Sequence, residues 1–175
     1  MSKCNYIQAD IIETERLLVR KLTKDDFYTL LTIMGKPEVM YAWEHGFSED
    51  DVQDWIERQL VRYAKDGIGY FAVLQKESGQ LIGQAGLMKT TMNGNEVVEI
   101  GYIFDNGYAT EAAESLIAYA FDSLELPAVY CSIRPENKAS IRVAKRLGME
   151  SCSSHIVVYR GKEMPHIIYK LKKPK

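Results

Sequence analysis

Two stretches of this chain combine residue types that handle anions and move protons. In the first, Gly107-Tyr108-Ala109-Thr110 follows an apolar run and opens a helical pattern, with Asn106 in the same turn. Gly107 permits close backbone approach, and the small Ala109 and Thr110 leave first-turn N–H groups open to an anion such as a pyrophosphate. Taken alone this signal is weak, and a plain helix cap is the commoner reason for a Gly and a Thr there. The second stretch runs from Arg134 to Gly148. Asn137 stands at an N-cap position, and Ser140, Val143, Ala144 and Leu147 follow on the inward phase. The Ser140 hydroxyl either bonds back to its own helix or donates to something held between helix and sheet. Lys138, Arg142, Lys145 and Arg146 recur at i, i+4, i+7 and i+8, which is either a solvated face or a phosphate clamp.

Proton transfer needs a titratable group beside such a cleft. Glu99, just before the Gly-containing turn, could take a proton from an amine directly or through a water. His155 is a lesser candidate, and His45 and His166 have no partner visible in the sequence. Gly101 interrupts the apolar run 97–104, which points to a bulge, to a ligand against the backbone, or to tight packing beneath a helix. A bulge would part this strand from a parallel neighbour at 128–133. The freed backbone groups around Ile100 and Tyr102 could then pair with an extended amide-bearing ligand such as a pantetheine arm.

The elements that must position these groups follow from periodicity. Residues 16–22 read as a strand. Asp25 and Asp26 open a helix with Phe27, Leu30, Leu31 and Met34 on one face, closed by Gly35 and Pro37. Ser48 caps a second helix that keeps phase through Val52, Trp55, Ile56 and Tyr63 to about Lys65. Strands are expected at 70–75, 81–88 and 96–104, a helix at 109–124, a strand at 128–133, a helix at 138–147 and a closing strand pair at 149–159 and 164–171. The expected fold class is α/β (an α+β mixed sheet) in the order β-α-α-β-β-β-α-β-α-β-β, with one parallel pairing in mid-sheet and a single domain over 12–172.

Composition limits the function classes. The 175 residues carry 22 basic and 24 acidic side chains, a net charge of −2, with 46% hydrophobic and 26% charged residues. This suits a globular domain and gives no broad attraction to nucleic acid or to an anionic membrane. Cys4, Cys131 and Cys152 have neither disulfide-framework nor zinc-ligand spacing, so no metal and reduced thiols in the cytoplasm are expected. No apolar run reaches the roughly 18 residues of a membrane span, and the N-terminus lacks the apolar core of a signal peptide. Acidic Glu44, Glu49, Asp50, Asp51 and Asp54 read mainly as helix-capping charge.

Three segments together resemble the GNAT acetyltransferase superfamily, in its RimJ/RimL-type branch. These are Glu13-Thr14-Glu15-Arg16-Leu17-Leu18-Val19-Arg20, the pair Glu99–Phe104 and Gly107–Ala112, and Pro135–Met149. The resemblance implies an acetyl-CoA pyrophosphate held near Gly107, Tyr108, Ala109 and Thr110, and pantetheine along Ile100, Gly101 and Tyr102. It further implies Asn137 at the cysteamine end, Ser140 near the thioester, and Arg142 or Lys145 near the nucleotide phosphates. Acetyl-CoA would serve as co-substrate and an amine as acceptor, by direct aminolysis, with Ser140 as general acid and Glu99 as base. The amine would be a protein N-terminus or a small polyamine-like or amino-sugar molecule, and the branch makes a homodimer possible. The chain departs from the family's Arg/Gln-x-x-Gly-x-Gly/Ala pattern: Phe104 falls on the Arg/Gln position, after a shortened loop. Ala144 holds the place of the tyrosine general acid that many members carry. A non-catalytic acyl-CoA-binding module of the same fold is the alternative.

Overall fold

A continuous apolar run over residues 70–73 sets up a sheet covered on both faces. The computed structural model describes residues 5–8, 11–104 and 107–175. Its strands are β1 (Asn5–Gln8), β2 (Ile11–Glu13), β3 (Leu17–Lys21), β4 (Tyr70–Gln75), β5 (Leu81–Met92), β6 (Asn95–Phe104), β7 (Ala128–Ile133), β8 (Glu150–Tyr159) and β9 (Lys162–Lys172). They form one sheet in the order β1-β2-β3-β4-β5-β6-β7-β9-β8. The expected fold class holds, with β1 and β2 added before the first anticipated strand; at four and three residues they are too short to show a period.

The helices are α1 (Phe27–Met34), α2 (Glu49–Asp66), α3 (Ala109–Asp122) and α4 (Lys138–Arg146). One face of β4 sends Tyr70 and Ala72 into a core with Leu30, Met34, Val52 and Trp55 of α1 and α2. The opposite face sends Phe71 and Val73 into a second core with Ala113, Leu116 and Ala120 of α3 and Ala144 of α4. This double coverage explains the near-continuous burial of β4. Asp25 and Asp26 lie in a 3-10 turn ahead of α1, not in the helix. The carboxylate of Asp26 accepts from both Nη atoms of Arg20, at 2.9 and 2.8 Å, and from the Thr23 N–H.

The turns obey local chemistry. Asn93 and Gly94 (φ 49° and 79°) join β5 to β6, and Arg160 and Gly161 (φ 48° and 76°) join β8 to β9. Both are two-residue hairpin turns with positive φ at each central position, the twist that antiparallel strands favour.

The parting of the sheet is the feature that makes a site. β6 and β7 share a single parallel pair, Glu99 with Tyr130. The pairing of β6 with β5 runs without a shift from Met92/Asn95 to Gly83/Phe104, so there is no bulge at Gly101. A Cβ at Gly101 would instead run into the hydroxyl of Tyr70. Gly101 therefore serves close packing, and β6 and β7 part beyond the Glu99–Tyr130 pair without a bulge in β6.

Candidate active site

A cleft of about 920 Å³ opens where β6 and β7 part, walled by the start of α3, by α4, by α2 and by the segment 38–43. Of the residues singled out in the sequence, Glu99, Ile100, Gly101 and Tyr102 line it from β6, Gly107, Ala109 and Thr110 from the entry to α3, and Asn137, Ser140 and Arg142 from α4. Asn106 lies outside the described residues. Tyr108 and Lys145 are not among the lining.

The entry to α3 is a cradle made of backbone. Gly107 has open space where a side chain would stand. The helix begins after Tyr108 with no side-chain cap, whereas Ser48 caps α2 and Asn137 caps α4. A plain cap is thus not what Thr110 provides. Tyr108 packs under the Arg16 guanidinium, 4.8 Å from its ring centre, and its hydroxyl accepts from Gln75 Nε2 at 3.3 Å. Arg16 also reaches Glu111 in the first turn of α3, Nε to Oε2 at 2.7 Å, and the Thr14 hydroxyl donates to Oε1 of the same carboxylate at 2.6 Å. Burial acts to raise the Glu111 pKa, but these bonds outweigh it and hold the carboxyl below its ordinary value. The Thr14–Arg16 segment accordingly fixes the position of the cradle.

On α4, Ala139, Arg142, Val143 and Arg146 face the cleft at i, i+3, i+4 and i+7. Lys145 falls off that face, which is why Arg146, not Lys145, joins Arg142 there. Asn137 Oδ1 accepts the Ser140 N–H at 3.1 Å, and the Tyr102 hydroxyl donates to the Ser140 carbonyl at 2.9 Å. Ser140 is half-buried. Among the described residues its hydroxyl makes no bond back to the helix, which leaves it for a ligand.

Facing it, half-buried Glu99 accepts the Ser132 N–H at 3.2 Å. Burial pushes the Glu99 carboxyl up to about 7, with the Ser132 N–H and the charge of Arg62 pulling the other way. The Ser132 hydroxyl lies 2.7 Å from His155 Nε2, so Ser132 joins both candidate bases. Burial lowers the His155 pKa, with the nearby His166 adding to the effect. Cys131 and Tyr70 are also at this junction, and burial raises the pKa of each well above its ordinary value.

The remaining wall is assembled from distant segments. Arg134 donates from Nη1 to Glu44 at 2.8 Å, and Lys162 donates to the other Glu44 oxygen at 2.6 Å. His45 Nε2 lies 2.9 Å from the Tyr159 hydroxyl, and Arg160 bonds Asp51 at 3.0 Å. These contacts clip the segment after α1 to the β8–β9 turn. Arg134 Nε is buried without a hydrogen-bond partner, its nearest carboxylate being Glu136 at 3.6 Å. The sequence shows His45 no partner and gives no sign that Arg62, Ser132 and Arg134 line the cleft, whereas Arg146 belongs to the basic stripe that the spacing marks on α4.

The comparisons with known proteins agree with this geometry. Residues 16–150 match the family model described as an acetyltransferase (GNAT) domain. The chain belongs to the GNAT acetyltransferases. It is 31% identical over 144 residues to the uncharacterized N-acetyltransferase YnaD of Bacillus subtilis, covering 79% of this chain and 81% of that one. A GNAT-family acetyltransferase structure from Bacillus anthracis superposes with a TM-score of 0.79 at 25% identity, over 93% of this chain and 98% of that one. The fold is shared with the ribosomal-protein-S5-alanine acetyltransferase of Vibrio fischeri, with a TM-score of 0.72 at 23% identity over 94% and 99% of the two chains. GNAT enzymes use acetyl-CoA, and this enzyme's parted strands and uncapped α3 entry suit such a ligand. Among the described residues no helix is long and apolar enough to cross a membrane.

Proposed function

We propose that this acetyltransferase, as one domain over residues 12–172, moves an acetyl group from acetyl-CoA to a primary amine by direct aminolysis. The observation that carries the reading is that Glu99 of β6 and Ser140 of α4 line one cleft where β6 and β7 part. Acetyl-CoA supplies the activated thioester when bound. The α3 entry from Gly107 to Thr110 would receive the pyrophosphate on its free N–H groups, with Arg142 and Arg146 beside the nucleotide phosphates. Backbone groups of Ile100 to Tyr102, left unpaired past Glu99, would receive the pantetheine amides.

Glu99 would accept the amine proton as attack proceeds, directly or through one water. A carboxyl at about 7 is divided between its two forms near neutrality, which suits a base. The Ser140 hydroxyl would donate to the departing thiolate. Much of the rate would come from holding the two reactants together, which supplies up to about 7–11 kcal/mol in ideal intramolecular cases.

Calorimetric titration with acetyl-CoA and with dephospho-CoA tests the donor end, and release of CoA thiol across a panel of primary amines tests the reaction. Micromolar acetyl-CoA binding, weaker without the 3′-phosphate, and amine-dependent thiol release are expected. Absence of binding would remove the reading.

A further inference from the structure

Arg62 of α2 lines the same cleft as Arg142 and Arg146 of α4, linked through Gln59 to Trp55 and Tyr70 and near enough to Glu99 for its charge to act there. Its Nη1 donates to Gln59 Oε1 at 3.1 Å. Gln59 has no exposed surface; its Oε1 also accepts the Tyr70 N–H at 3.0 Å, and its Nε2 donates to the Trp55 carbonyl at 3.2 Å. A buried glutamine, itself held by the Tyr70 N–H and the Trp55 carbonyl, therefore pins the guanidinium at the cleft wall. The sequence offered no hint of this, because residues 55, 59, 62 and 70 meet only once α2 lies on the sheet.

Arg142 and Arg146, at the donor end, carry no carboxylate partner among the described residues, whereas two arginines set around the acceptor side and the α3 entry do have one. Arg16 pairs with Glu111, and Arg134 pairs with Glu44. Among the described residues no carboxylate lies within ion-pair distance of Arg62. Glu99 is near enough to feel its charge, yet the two do not bond. A guanidinium fixed in a partly buried wall, with donors unspent, is a receptor for a planar anion, and a carboxylate fits its fork.

We propose that the acceptor is a small amine that carries a carboxylate, its amine at Glu99 and its carboxylate at Arg62. This rests on the acetyl-transfer reading above and narrows its acceptor. A polyamine would place a second ammonium against Arg62 and be repelled. The clip of Glu44 to Arg134 and Lys162, and of His45 to Tyr159, closes one side of this end and favours a small acceptor over a polypeptide.

The test uses matched acceptors with acetyl-CoA: α-amino acids, their carboxamides and the corresponding decarboxylated amines, with a diamine and short peptides alongside. The wild type should favour the acid over its amide roughly 10- to 100-fold in kcat/KM, the span expected of a charge-assisted contact. Arg62→Gln should erase that preference mainly through the acid's KM, and Arg62→Lys should restore part of it. Arg62→Glu should turn the preference toward the diamine. A melting temperature and an acetyl-CoA affinity near those of the wild type would show that each variant is folded. Equal use of acid and amide, or a preference that survives Arg62→Gln, would overturn the inference while leaving acetyl transfer intact. So would transfer to peptides alone. Failure to acetylate any amine would overturn both.

Discussion

The two ends of the cleft are built in opposite ways. The donor end is made of two local stretches of sequence: the β6 backbone with the turn at Gly107, and one face of α4. Its contacts are mainly backbone N–H groups and a helix face, set by local rules of capping and period. The acceptor end is made of side chains brought from α2, the segment after α1, the end of β7 and the β8–β9 turn, such as the Glu44 bridge between Arg134 and Lys162. A ligand common to a family can be met by repeated backbone geometry, whereas an individual acceptor needs side chains that vary.

Substitutions can break that division of labour if it is wrong. The largest effect is expected from Glu99→Gln, which should lower kcat about 100-fold or more at pH 8 while acetyl-CoA affinity, measured by calorimetry, stays within about twofold. The same variant should melt higher than the wild type above pH 7, by roughly 2–4 °C. The sign follows from burial: the folded state holds the Glu99 proton up to about 7, so ionisation between its ordinary value and 7 costs folding free energy that a neutral amide does not. Ser140→Ala comes next, with turnover expected to fall about 10- to 50-fold and acetyl-CoA affinity little changed.

Replacing Arg142 and Arg146 together by Ala should weaken acetyl-CoA binding about tenfold and remove discrimination against dephospho-CoA, while Lys145→Ala, off the cleft face, should change neither. Smallest is Arg16→Ala, expected to raise the acetyl-CoA KM a few-fold by loosening Tyr108 and Glu111 at the head of α3. If Arg16→Ala moved only the amine KM, the division into two ends would fail.

This difference also explains what was legible in the sequence. Strand and helix periods placed α2, α3, β7 and α4 within about two residues, and Ser48 and Asn137 cap their helices as their residue types demand. Glu99 and Ser140 reach one cleft because strand order fixes them. Gly101 leaves a bulge, a ligand contact and tight packing all open in the sequence, because a glycine in a strand carries no mark of what occupies its missing Cβ; the occupant, Tyr70, is 31 residues earlier in the chain. Tyr108 falls in the cradle segment by sequence, while its side chain packs under the Arg16 guanidinium and is not part of the cleft lining. Glu44 read as one of a run of capping acids, and its pairing with Lys162 is 118 residues away in sequence. Long-range side-chain pairing leaves no period to read.

The most direct test of the central claim is the pH dependence of kcat/KM for the amine, followed by thiol release from pH 5.5 to 9 in the wild type and in Glu99→Gln. A base that must lose its proton gives a rate that rises with pH through its pKa. The account predicts an acid limb centred near 7 in the wild type and no such limb in the variant. An identical limb in both would show that another group takes the amine proton, and would contradict the role given to Glu99.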